Sequence, residues 1–117
     1  MSLFEKYGGT ATVGRIVADF YREVLGNPAL KPYFDGVPMQ GLMEHQLRFM
    51  SDVLGRKPLN YGGRSMREAH QHLGVTREHF AEVAVILDRV LRRAGMEDAD
   101  VLAVMAAVAS LEDDVVG

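Results

Sequence analysis

Two groups of side chains in this chain of 117 residues have the types and spacing to bind a metal and a small ligand. The first is His70, within Met66-Arg-Glu-Ala-His-Gln-His-Leu-Gly-Val-Thr-Arg-Glu-His-Phe80. A Ser65-x-x-Glu68 capping box opens a short helix there, Leu73-Gly74 closes it and Thr76 starts the next. A neutral imidazole on so brief and well-bounded a helix is a natural ligand for iron. One imidazole does not make a site, because most histidines on core-facing helices are hydrogen-bonded and inert. The second group strengthens the case. Leu42, His45, Gln46, Phe49 and Val53 fall on one face of a helix expected over about 39–54. An imidazole and a carboxamide between a leucine and a phenylalanine need something polar opposite them.

The elements that must position these residues are all helical. A Ser2-x-x-Glu5 capping box opens a stub that the Gly8-Gly9 pair ends. Thr10 is the expected cap of a second helix running to about Leu25, with Val13, Ile16, Val17, Phe20 and Val24 as its apolar stripe and Tyr21 on the edge of that stripe. Gly26-Asn27-Pro28 ends it, residues 28–34 make a short helical piece, and Asp35-Gly36-Val37-Pro38 is a turn. Residues 55–63 read as loop from their Gly, Pro and Asn content. Phe80, Val83, Ala84, Leu87, Val90 and Leu91 mark a long amphipathic helix from Thr76 to about Ala94, with Arg92-Arg93 at its negative end. A last helix is expected over roughly 97–113, apolar around most of its circumference and therefore well buried. No stretch alternates as a strand does, so the reading is one all-α domain over residues 1–117.

Composition narrows the function. The absence of cysteine removes disulfides, thiolate ligands and thioether attachment of a cofactor, so a bound iron must be held by nitrogen or oxygen. A net charge of −3 and the lack of a polybasic run argue against nucleic acid and against a membrane surface as partners. The N-terminus lacks a signal-peptide pattern, and the apolar stretch 101–109 is too short to cross a bilayer. The expected location is cytoplasmic.

Phe20-Tyr21, Tyr33-Phe34 followed by Asp-Gly-Val, His45-Gln46 with Phe49, Tyr61-Gly62-Gly63, Met66-Arg-Glu-Ala-His70 and His79-Phe80 stand in the order and spacing of the group I truncated haemoglobins. The Gly8-Gly9 pair resembles a glycine motif of that family, and the pattern, closest to cyanobacterial-type members, extends from Ser2 to about Val116. The resemblance implies a two-over-two helical sandwich around one non-covalent haem b. It implies His70 as the proximal iron ligand, Phe34 as the ring packed on the porphyrin, and Tyr21 with Gln46 as the distal hydrogen-bonding pair. Leu42 falls at the distal gate position, Phe49 at the apolar ligand tunnel, and Phe80 and Val83 along the pocket. Met66, one turn before His70, is expected against the porphyrin, and Arg67, like Arg64, is a candidate for a propionate, although an exposed basic residue is the commoner reading. His45 matches a position where cyanobacterial members carry a histidine that binds iron from the distal side. Those members also include one with a C-terminal histidine that attacks a haem vinyl group, whereas this chain ends Ser-Leu-Glu-Asp-Asp-Val-Val-Gly, so covalent attachment is not expected.

In such a pocket O₂ takes on superoxide character, and donors aimed at it stabilise the complex. With one net hydrogen bond each, worth about 1 kcal/mol, Tyr21 and Gln46 would tighten O₂ by roughly tenfold to a few hundredfold. High affinity and slow release suit reaction of O₂ with NO to give nitrate, aided by a reductase, better than oxygen delivery; NO and CO are the other expected ligands, and a monomer or weak dimer the expected state. The first alternative is a bis-histidyl His45/His70 electron-transfer or redox-protective haem protein. The second is a haem-free helical interaction module. His72 projects away from His70 and is read as solvated, His79 as a helix-terminus residue, and Asp113-Asp114 as a solvated tail.

Overall fold

In a computed structural model of the chain, residues 2–55 and 74–116 are described. His70, with Tyr61, Arg64, Met66, Arg67 and His72, lies outside the described residues, as does the helix expected to carry it. Ser2 caps the stub α1 (Leu3–Lys6), its hydroxyl accepting from the Glu5 amide at 3.3 Å. Gly8 at φ 106° and Gly9 at φ 68° then reverse the chain into α2 (Gly9–Leu25). The expected cap at Thr10 is therefore replaced by Gly8, because the positive φ turns the chain straight into helix and leaves Thr10 exposed within it. Thr12 is buried instead, its hydroxyl donating to the Tyr7 carbonyl.

A 3₁₀ turn (Lys31–Phe34) follows, entered through an Asn27 side chain that accepts from the Ala29 amide at 2.9 Å. Then come α3 (Met39–Leu54) and α4 (Arg77–Arg93), the latter capped by Thr76 accepting from the His79 amide at 3.0 Å. These three agree with the ranges expected from periodicity and caps. The last expected helix does not run through. It is divided into α5 (Asp98–Ala109) and a single turn α6 (Glu112–Val115), because the chain tightens at Ser110, whose hydroxyl bonds the Ala107 carbonyl at 2.6 Å, and the Leu111 amide reaches back to Val108 at 3.0 Å. The break turns Leu111 into the core.

Among the described residues every regular element is helical. Helix α2 lies against both α3 and α4, and α5 packs on α4. Val13, Val17, Tyr21 and Val24 of α2 meet Met50 and Leu54 of α3 and Leu87, Val90 and Leu91 of α4 in one core. Burial of α5 is less complete than its composition suggests: Val101 and Val104 are enclosed, but Leu102 is 63% exposed. Helix α5 packs on α4 and touches α3, and in a domain this small such neighbours leave part of an apolar circumference uncovered. Ion pairs tie the helices together from outside, with Arg93 reaching Asp19 and Glu23, Arg89 reaching Glu23 at 2.5 Å, and Arg77 reaching Glu112 at 2.8 Å. No described helix is long and apolar enough to cross a membrane.

Candidate functional site

The helices close on a cavity of about 200 Å³ bounded by α2, the 3₁₀ turn, α3, the first half of α4 and the C-terminal residues. Its wall is apolar almost throughout. Ile16, Val17, Phe20 and Val24 come from α2, Leu42, Phe49 and Met50 from α3, Phe80, Val83 and Leu87 from α4, and Val108, Leu111 and Val115 from the end of the chain. Phe34 joins them from the 3₁₀ turn. Among the described residues four polar side chains line it: Tyr21, Tyr33, Gln46 and His79.

Tyr21 is more central than its sequence position suggests. It follows Val17 by four residues and precedes Val24 by three, so it sits in the buried row of α2, and it is only 4% exposed. Phe20, read as part of the stripe, is the half-buried one of the two. The Tyr21 ring is held edge-on between Phe20, with centroids 5.0 Å apart, and Phe34, at 5.9 Å. Burial pushes the phenol well above its ordinary pKa. The hydroxyl thus stays protonated, and among the described residues nothing hydrogen-bonds to it. A buried donor without a protein partner is poised for a ligand.

On α3 the expected face is brought to the cavity in part. Leu42 and Gln46 are half-buried and line it, and Phe49 is 9% exposed. His45 is exposed and stands outside the lining, because Met50 and Leu54 centre the buried side of α3 and leave His45, about 40° around from Phe49, on the outer rim. Phe80 and Val83 line the cavity from α4, with Val75 just before that helix. Among the described residues no group of three or more His, Asp or Glu side chains gathers as a metal site.

One pair went unforeseen. Tyr33 and His79, 46 residues apart, are joined by a 2.5 Å hydrogen bond between Oη and Nδ1 and by an edge-on ring contact of 5.4 Å. The sequence marks His79 only as a helix-terminus residue. Its place on the first turn of α4, three residues after the cap, was legible; that this turn would meet the 3₁₀ turn was not.

An all-helical domain folded over one apolar cavity, with a buried phenol and a carboxamide in its wall, has the architecture of a globin. Residues 2–116 match the family model described as bacterial-like globin. The group 1 truncated haemoglobin of Synechocystis is 39% identical over 112 residues, spanning 92% of this chain and 89% of the relative. That of Mycolicibacterium paratuberculosis is 32% identical, over 97% of this chain and 83% of the relative. Among solved structures, the truncated haemoglobin of Tetrahymena pyriformis in its Fe(III) form superposes with a TM-score of 0.88 at 27% identity, covering 100% of this chain and 99% of that one. The 2/2 haemoglobin of a Synechococcus species, in the cyanomet state with covalently attached haem, gives 0.88 at 33% identity, covering 98% of each chain. The chain belongs to the bacterial-like globin family and, within it, to the group 1 truncated haemoglobins with the two-over-two helical fold.

Proposed function

We propose that this chain binds haem in the cavity and uses it to hold a diatomic gas, O₂ foremost, with NO and CO as further ligands. The observation that carries the reading is the buried Tyr21 hydroxyl, without a partner among the described residues, in an apolar cavity. The apolar wall fits a flat hydrophobic macrocycle, and the phenol fits a small polar ligand beside it. Haem supplies the iron at which the gas binds. His70 would hold that iron, Phe34 would pack on the ring, and Met66, Leu42, Phe49, Phe80 and Val83 would enclose it, with Arg67 toward a propionate. On this reading the haem is a non-covalent b-type group.

Tyr21 and Gln46 act as donors. Each contributes about 1 kcal/mol when it gives one net hydrogen bond to the gas, which slows release and raises affinity by roughly tenfold to a few hundredfold for the pair. A protein that holds O₂ this way is suited to joining it with NO to give nitrate, with a separate reductase returning the electron that turnover removes. Leu42 and Phe49 keep water from the donors and leave the phenol to the gas.

Titration of the protein with haemin, followed by absorption spectra of the ferric, ferrous and CO-bound forms, tests the reading. The expected result is a one-to-one Soret change that shifts again on reduction and on CO addition, and that His70→Ala weakens at least tenfold. A protein that stays colourless, or an alanine variant that holds the pigment as tightly, refutes it.

A further inference from the structure

The Tyr33–His79 pair has no part in gas binding as described, yet both rings line the cavity and both are partly exposed. With the imidazole neutral and its proton on Nε2, the Tyr33 hydroxyl donates to Nδ1 at 2.5 Å. The position is reinforced from two sides. Thr76 caps the turn that carries His79, and the rings meet edge-on at 79°.

The three described tyrosines differ in what stands ready to take their phenolic proton. Tyr7 has a carboxylate, Asp100 Oδ2 at 2.5 Å, but lies between α1 and α5 and does not line the cavity. Tyr21 lines the cavity, but no base among the described residues accepts from it. Tyr33 alone of the three has both. The difference matters for electron transfer, because a phenol that loses one electron becomes a strong acid, and the step is easy only when the proton can leave with the electron. An imidazole in hydrogen-bond contact is suited to receive it.

We propose that Tyr33 is a redox-active tyrosine that delivers one electron to the haem side of the cavity and its phenolic proton to His79, relaying reducing equivalents from a small surface reductant such as a phenol or an enediol. This rests on the haem reading above, with hydrogen peroxide as the oxidant. In each event the Tyr33 O–H bond breaks, the electron leaves toward the haem side of the cavity with hydrogen peroxide as its final acceptor, and the proton passes to Nδ1 of His79, leaving a neutral tyrosyl radical. The reductant RH then returns an electron to the phenolic oxygen, His79 returns the proton, and the proton of RH enters the water formed. Two events balance as H₂O₂ + 2 RH → 2 H₂O + 2 R•. The activity is peroxide removal at the expense of one-electron donors, and the entry point is the rim where the 3₁₀ turn meets α4.

The test uses haem-loaded protein, its load read first from the Soret band, mixed with hydrogen peroxide, freeze-quenched and examined by electron paramagnetic resonance. The expected result is a tyrosyl signal that falls about tenfold or more in Tyr33→Phe and persists in Tyr7→Phe and Tyr21→Phe. His79→Leu should lower its yield several-fold and remove the slowing by deuterated solvent. Guaiacol oxidation should fall in step in the Tyr33 and His79 variants. A second arm needs no haem: a photogenerated ruthenium(III) polypyridyl oxidant should form the tyrosyl radical more slowly in His79→Leu, and with smaller amplitude in Tyr33→Phe. If the protein takes up no haem, the functional reading falls and this second arm decides the pair by itself. A radical signal unchanged in Tyr33→Phe overturns the proposal, as does one that depends on Tyr33 but not on His79.

Discussion

Replacement of Tyr21 by phenylalanine should act with opposite signs on the empty and the gas-loaded protein. Tyr21 is 4% exposed, and its ring packs edge-on against Phe20 and Phe34. Phenylalanine keeps both contacts and removes only the oxygen. A buried hydroxyl without a partner costs about 1–3 kcal/mol, so the apoprotein should gain about 1 kcal/mol and melt about 4 °C higher. In the gas-loaded haem protein the proposed function makes the same hydroxyl a donor to the ligand. Its loss removes about 1–1.5 kcal/mol from the complex and should speed O₂ release about tenfold. Urea unfolding of the apoprotein by circular dichroism gives the first quantity, and displacement of O₂ by CO in a stopped-flow instrument gives the second. An apoprotein destabilised by about 1 kcal/mol or more would mean that the hydroxyl has a partner within the fold. An unchanged release rate would mean that it does not reach the ligand. Either result refutes the role assigned to Tyr21.

Three further outcomes are expected. His45→Leu should leave the ferric and ferrous spectra of the haem protein unaltered, because His45 is exposed and outside the cavity wall; conversion from a six- to a five-coordinate spectrum would instead show that α3 turns to bring the imidazole in. Arg93 holds the Asp19 carboxyl, and Arg89 with Arg93 the Glu23 carboxyl, below the ordinary carboxylate range. Folded values lower than unfolded ones add stability above about pH 4 and lose it as pH falls through the lowered values, so the urea midpoint should drop on acidification, less steeply in Asp19→Asn/Glu23→Gln and less in about 1 M salt. Gly8→Ala should cost about 1–3 kcal/mol in urea titration, since φ is 106° and the new Cβ would stand 2.6 Å from the Thr12 hydroxyl; a loss below a few tenths would show that the turn relaxes.

The family, the helical class and most element boundaries were legible because they rest on short-range rules. Ser2 and Thr76 each bond an amide three residues on, and the glycines at 8 and 9 take the positive φ that side chains avoid. Spacing likewise put Leu42, Gln46 and Phe49 together, and all three line the cavity. Periodicity reports which residues share a face, however, and not where the edge of burial falls. That edge depends on the neighbouring helix. It reversed the standing of Phe20 and Tyr21, left His45 on the outer rim, and exposed Leu102 on a helix that looked buried throughout. The break at Ser110 depends on Leu111 finding the core and Val115 the cavity.

From its sequence alone, then, the chain is determined to be a helical globin with candidate donors at Tyr21 and Gln46, since caps, glycines and heptad-scale spacing act over a few residues. Only the tertiary structure decides that the Tyr21 hydroxyl is buried with no partner among the described residues and that Tyr33 meets His79 across 46 residues. Both are set by how helices pack against one another, and that geometry is a property of the whole core, not of any single segment.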